Sequence, residues 1–402
     1  MSKKEKKIVV EEPIHLDIPE EEIWTYRVEG LAAPHINKPY KHYGLKKVIF
    51  AVVIIIAVSI SCYFSVRTVQ KDTFEYEQTQ TGYELSKFSN TGYITQLDID
   101  YVSSVEYDSK NPDVNTNFKI IKDESKKITS VGAYALNCDE KVKVINIGAD
   151  VTFVDPKAFY SCWALQQIEV DENNPNYCDL DGVLYNKDMT EIICRPCDHD
   201  TYLAEKYGHA VYDENGFRIE PAAEDANYEQ YVNDVLTFVV PSSVETIGEL
   251  CFNYANMKNV YLPEGLKVIE TLGFFEIPLL ENVYSYKTET TVTDSHFTSE
   301  EVLGKVYVSL PEGLEYIGSD AFSYNQAMNY VFIPESVTFI GHHAFWDTVY
   351  KEGDELCGVT EINVAVSEEA FESSVKTGDN WRPQYDYLLF KKSIDVVYGS
   401  ER

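Results

Sequence analysis

The chain has 402 residues, 44% of them hydrophobic, which suits a long repeat array or two or three ordinary domains and excludes a wholly disordered protein. Asp and Glu outnumber Lys and Arg by 66 to 34, for a formal net charge of −32. A surface of that sign repels phosphates, so nucleic acid is excluded as a partner; a cationic partner, or simple solubility of an exposed protein, fits it better.

The charge is unevenly placed. Residues 1–47 carry nine Lys or Arg against eight Asp or Glu, so the acidic excess falls on the rest of the chain. This opening has a basic start at Lys3, Lys4, Lys6 and Lys7, several prolines, an acidic run at Glu20 to Glu22 and no sustained periodicity. It reads as a disordered cytoplasmic tail. Trp24 and Tyr26 within it suit membrane-interface contact or a docking peptide. Val48 to Val66, VIFAVVIIIAVSISCYFSV, is nineteen residues without a charge. At helical rise it spans about 28 Å, close to the hydrocarbon thickness, and predicts one transmembrane helix through residues 48–66. Lys38, Lys41, Lys46 and Lys47 precede it and Arg67 and Lys71 follow, which places the N-terminus in the cytoplasm and the remainder outside the cell. A cleaved leader fits less well, because the preceding region is long and no small-x-small site follows. Ser59-Ile60-Ser61-Cys62 only loosely resembles a lipidation box, since Ser59 stands where an aliphatic residue belongs.

Residues 67–127 read as a stalk and N-terminal cap, with a strand at YITQLDIDYV. From Ile128 one motif recurs: ITSVGAYAL (128–136), VTFVDPKAF (151–159), VETIGELCF (244–252), LKVIETLGF (266–274), LEYIGSDAF (314–322) and VTFIGHHAF (337–345), with an eroded copy, NVAVSEEAF, ending at Phe371. Aligned on their last residues, the copies are 23 apart from Leu136 to Phe159, 22 from Phe252 to Phe274 and 23 from Phe322 to Phe345. That period is the length of a leucine-rich repeat. The longer gaps hold inserted material. Each copy is followed by an alternating segment such as LQQIEV, MKNVYLPEGL or MNYVFIPESV, which reads as a strand ended by a proline. No single coil covers its own apolar side, so the coils must stack, with the Phe column as shared core. Residues 373–402 read as a C-terminal cap or tail.

These repeats resemble the BspA-like leucine-rich-repeat family of surface proteins from bacteria and some protists, over about residues 128–372. The segment NNPNYCDLDGVLYNKDMTEIICRP (173–196) is similar to one that the family often carries; YCDLDGVLYN and MTEIICRP read as two strands joined at Asn186-Lys187-Asp188. Inserts near residues 201–233, 286–302 and 347–358 depart from the pattern and should project as loops. The resemblance implies an interaction scaffold, often adhesive, and no specific partner. With the apolar segment, the repeats read as a membrane-anchored leucine-rich-repeat solenoid, mainly β or α/β with short helices and turns, preceded by the transmembrane helix, and the first expectation is a module that recognises a protein or a cell-wall or host glycan. A structural or regulatory envelope protein working through its cytoplasmic tail is the alternative.

Candidate binding residues come from strand register. With Val260 and Leu262 inward, Tyr261 points outward, and the same register sets Tyr284, Tyr307, Tyr330 and Phe332 as one concave aromatic stripe. Aromatic side chains also favour strands for their own sake. Seven cysteines follow the apolar segment. Cys138 and Cys162 read as buried thiols, whereas Cys178, Cys194 and Cys197 leave open buried thiols, one disulfide or a metal site. Asp98 and Asp100, and Asp179 and Asp181, alternate along strands without the oxygens that a calcium loop needs. No G-x-S-x-G, H-E-x-x-H or Walker pattern is present, and His342 and His343 fall in a polar turn. No catalytic residue, metal or cofactor is therefore expected.

Overall fold

The computed structural model describes residues 73–89, 94–108, 110, 118–137, 139–287, 305–352, 355–385 and 392–402. The expected transmembrane segment 48–66 and the tail before it lie outside the described residues. Among the described residues no helix is long and apolar enough to cross a membrane.

Two ladders of short parallel strands run along the repeats. In the first, Gln96–Ile99, Val144–Ile147 and Gln167–Val170 pair in parallel; further on, Thr237–Val239, Asn259–Pro263 and Asn282–Lys287 do the same, and then Val331–Ile333, Ile362–Val364 and Val396–Tyr398. In the second, the two-residue strands Thr246–Ile247, Val268–Ile269, Tyr316–Ile317, Phe339–Ile340 and Lys376–Thr377 follow one another in register. Alternation places Val260, Leu262, Ile247 and Ile269 in one core between the ladders, each fully buried. The repeats reach beyond the expected bounds at both ends. Gln96–Ile99 is already a coil strand, because it pairs with Val144–Ile147, and Val396–Tyr398 still pairs with Ile362–Val364.

Prolines close the first-ladder strands: Leu266 N–H donates to the Pro263 carbonyl at 3.0 Å and Leu314 to Pro311 at 3.0 Å, each bond shaping a tight turn. The chain then passes through the second ladder into the turn that carries the repeated aromatic. In five coils the residue two before that aromatic or its Leu136 counterpart is left-handed, namely Tyr134, Leu250, Leu272, Asp320 and His343. The residue two after is also left-handed in five coils, at Ser161, Tyr254, Glu276, Tyr324 and Asp347. None of these is a glycine, so the stacked coils themselves impose the turn. The recurring Ile-Gly step has a separate reason. A Cβ on Gly318 would come within 2.4 Å of the Thr271 backbone nitrogen, and one on Gly341 within 2.3 Å of the Ser319 nitrogen, so only hydrogen fits where neighbouring coils touch.

The repeated Phe residues form the expected column from Phe252 to Phe345, whereas Phe159 is buried in a separate N-terminal core, so the shared core is interrupted between them. Phe252 stacks on Phe274 at 4.7 Å, Phe274 on Phe322 at 5.0 Å and Phe322 on Phe345 at 5.3 Å between ring centroids. Their backbones are linked in the same order: Phe252 N–H donates to Gly273, Phe274 to Ala321 and Phe322 to Ala344. Phe274 and Phe322 are 48 residues apart in sequence yet adjacent in space.

The segment 173–196 is three strands and not two: Tyr177–Leu180, Val183–Asn186 and Glu191–Cys194, antiparallel in that order. Asp181 and Gly182, at φ 53° and 78°, make the tight hairpin turn that Asp-Gly favours. Asp181 is therefore a turn residue and does not share a strand face with Asp179. The strand Val183–Asn186 divides two cores. Val183 and Tyr185 belong to the C-terminal core, whereas Leu184 belongs to a separate N-terminal core with Ile145, Ile168 and Phe159.

Phe322 is fully buried between two parallel rings, so Phe322→Ala removes burial and two stacking contacts. A loss of about 3–5 kcal/mol is expected, read as a lower urea midpoint and as faster amide exchange concentrated in the coils on either side.

Candidate functional site

The expected aromatic stripe does not form as one strip. Tyr261 and Tyr284 sit side by side in register on adjacent parallel strands, their rings stacked at 4.8 Å and 23°. Both are half-buried, and burial raises both phenol pKa values. Tyr261 packs against Val239 and against Tyr286, which is buried and donates its hydroxyl proton to the Val240 carbonyl at 2.6 Å. Tyr307 is out of line. Its strand, Lys305–Tyr307, runs antiparallel to Asn282–Lys287 and sets Tyr307 opposite Ser285, because the chain returns along the strand it has just left. Phe332 is a correction: it is 2% exposed. Val331, Phe332 and Ile333 are all buried, so this strand is covered on both faces, as an unbroken apolar run implies. Tyr330, 39% exposed, stands apart at the edge of that other sheet. The C-terminal Arg402 occupies the neighbouring surface, donating to Ser309 at 2.8 Å and reaching Ser285, Glu264 and Glu312.

Other sequence candidates resolve as follows. Asp98, Asn146 and Glu169 align across three strands above an open depression of about 390 Å³. Lys122 bridges Asp98 at 2.9 Å and Asp100 at 2.7 Å. Burial works to raise the Asp98 carboxyl, but the bonds from Asn146 and Lys122 and the lysine charge outweigh it and hold it below the usual value. The six described cysteines after the apolar segment are all free. Burial raises the thiols of Cys162, Cys194, Cys197 and Cys251, that of Cys197 to about 12, which makes them poor nucleophiles. Cys178 is half-buried and donates to the Asn186 carbonyl at 3.3 Å. Among the described residues no group of three or more His, Cys, Asp or Glu is placed to hold a metal.

The insert near 201–233 is the projecting element with a structure of its own. It comprises helix His199–Lys206, a hairpin of Val211–Tyr212 with Arg218–Ile219, and helix Tyr228–Val235. Leu203, Ala204, Tyr231, Val235 and Leu236 form its separate core. Arg218 is the fastener: it donates to the Tyr231 hydroxyl at 2.8 Å and to Thr201 at 3.1 Å, and pairs with buried Asp200 and with Glu220 at 3.3 Å. Asn256 of the repeats donates to Asp200 at 2.9 Å and Glu220 at 3.1 Å, tying the insert to the coil beneath. With Arg218 and Tyr212 occupying one face of the hairpin, the other presents Val211, Phe217 and Ile219 at 57%, 72% and 49% exposure. Asn215-Gly216 marks a hairpin in the sequence, but a two-residue turn there would pair Tyr212 with Ile219; the observed pairing of Tyr212 with Arg218 across a five-residue connection is what gathers this face.

An extended stack of strand-and-turn coils with shared core and a projecting insert defines a leucine-rich-repeat solenoid. The chain belongs to the BspA type leucine rich repeat family, whose pattern matches in six copies over residues 40–166, 84–193 and 227–351. Solved structures similar to it include a leucine-rich repeat protein from Eubacterium ventriosum (17% identity, 70% of this chain and 63% of that one, TM-score 0.39). They also include the pneumococcal vaccine antigen PcpA (16%, 69% and 61%, TM-score 0.38) and a leucine-rich repeat protein from Bacteroides ovatus (15%, 83% and 79%, TM-score 0.28). The chain thus spans less than two thirds of the length of the first two. No curated protein matches it.

Removing the fastener should loosen the insert alone. Arg218→Met takes the salt bridge from buried Asp200, 2% exposed, and leaves it the Asn256 hydrogen bond, a change of about 3 kcal/mol. Hydrogen exchange should quicken across residues 199–236 while the Phe column keeps its protection.

Proposed function

We propose that the protein is a cell-surface binding module that captures another protein and carries out no chemistry on it. The observation that carries this reading is the hairpin face of Val211, Phe217 and Ile219: three large apolar side chains are held in water by a rigid, separately cored insert. Such exposure is unfavourable unless a partner covers it. Val211 and Ile219 have no planar face to offer a sugar ring, which favours a protein over a glycan as the partner. Tethering through residues 48–66, with the N-terminus in the cytoplasm, would hold the repeats outside the cell. The aromatic pair Tyr261–Tyr284 offers this partner a second, flatter contact.

The test is a binding screen of the full-length chain against host proteins, glycans and neighbouring-cell surfaces. The captured partner should be lost with Phe217→Ser plus Ile219→Ser, by about tenfold or more in affinity, at unchanged circular dichroism. Capture of a glycan alone would overturn the protein reading. The tether has its own check: protease added to intact cells should remove the repeats and spare the tail, and a mature N-terminus at or beyond Cys62 would overturn the topology.

A further inference from the structure

A polar interruption sits in the first ladder. In four coils an apolar residue stands just before a proline, at Val240, Leu262, Leu310 and Ile333, and each is buried. The strand Asn282–Lys287 departs from this: in register Ser285 lies opposite Leu262, and Tyr286 opposite Pro263. A second serine, Ser309, faces it, with the two hydroxyl oxygens 3.1 Å apart and the residues 0% and 3% exposed. Two carboxylates stand at the rim. Glu264 is fixed there, its N–H donating to the Tyr286 carbonyl at 3.0 Å and its carboxylate accepting from the Glu312 N–H at 3.0 Å. Glu312 brings the second carboxylate.

One guanidinium fills this arrangement. Arg402 donates from Nε to Ser309 at 2.8 Å, from one terminal nitrogen to Glu312 at 3.2 Å and from the other to Ser285 and Glu264. Four acceptors spread around a flat, five-donor head make a shape that lysine does not match, because an ammonium presents three donors from one point. The residues before Arg402 belong to another sheet. Val396–Tyr398 pairs with Ile362–Val364, while Gly399 N–H donates to Val366 at 2.8 Å and Ser400 N–H to Val364 at 3.0 Å. Arg402 therefore joins two sheets of the first ladder that share no strand pairing among the described residues, one ending in Lys305–Tyr307 and the other beginning with Val331–Ile333.

We propose that Ser285, Ser309, Glu264 and Glu312 form a guanidinium-selective site, and that Arg402 is its ligand within the same chain, a latch that closes the break in the first ladder. Buried serines in an otherwise apolar column are explained by the donor they accept from. Ser400 is anchored two residues before Arg402, so the effective concentration of the latch at its site is high, and a free ligand gains the site only when Arg402 is removed. The latch depends neither on the hairpin face nor on the binding role.

The test uses the full-length chain in mild non-ionic detergent, with ethylguanidinium as the probe and ethylammonium as its lysine-like control, both at millimolar concentration. Binding is read by saturation-transfer difference NMR, and the latch by amide exchange in the strand Val396–Tyr398. Arg402→Ala should bind ethylguanidinium saturably, and about tenfold more tightly than it binds ethylammonium or than the wild type binds either probe. Adding Glu264→Gln to Arg402→Ala should abolish that binding. Exchange in Val396–Tyr398 should quicken about tenfold in Arg402→Ala and also in Arg402→Lys, which keeps the charge without the fork. Equal binding of the two probes, equal binding by wild type and Arg402→Ala, binding that survives Glu264→Gln, or wild-type protection in Arg402→Lys would overturn the proposal. If Arg402→Ala does not fold, Glu264→Gln alone should quicken exchange in Val396–Tyr398, and unchanged exchange there would overturn the latch.

Discussion

A coil of twenty-odd residues has more apolar surface than it can cover by itself, and neighbour-to-neighbour stacking answers that imbalance. The Phe rings at 252, 274, 322 and 345 lie nearly parallel, while the backbone groups beside them bond from coil to coil. Apolar burial and main-chain pairing therefore act along the same axis, so whatever separates two coils breaks both at once. The other features follow from that axis. Glycine stands where backbones touch, the turns accept left-handed residues, and inserts leave the array without disturbing it.

Much of this architecture is legible in the sequence because the period is short and the key residue is large. The Ala-Phe endings locate the turns, and the alternation of MKNVYLPEGL gives both the strand and its buried side. Legibility fails where one pattern admits two geometries. YCDLDGVLYN has the composition of one strand, and only the Asp181-Gly182 pair shows that it folds back. The Tyr307 strand is apolar and alternating like its neighbours, and nothing in its composition shows that it runs antiparallel. Phe332 has the right spacing for an outward residue, but Val331 and Ile333 beside it mark a strand enclosed on both faces.

The projecting insert shows the same limit. A hairpin could be read from Asn215-Gly216 and the apolar residues around it, but not its exposed face, because a two-residue turn there would pair Tyr212 with Ile219 and the chain pairs Tyr212 with Arg218. The fastening by Arg218, which joins Asp200, Thr201, Glu220 and Tyr231, could not be read either, since it links residues far apart in the insert. A hairpin is thus visible locally, whereas the face it shows and the fastening beneath it come from tertiary pairing.

The strand Val183–Asn186 has one more implication. Its odd and even residues serve different cores, so it acts as a bulkhead between two hydrophobic compartments. Within the interior, the two compartments meet across that strand, whose hairpin partners hold it on both sides, while at the turns Lys157 and Trp163 of one half touch Glu249 and Tyr254 of the other. The wall is therefore a keel as well as a partition: an apolar substitution on one side of it is felt first by its own compartment, and the polar and aromatic contacts at the rim carry the join between the two.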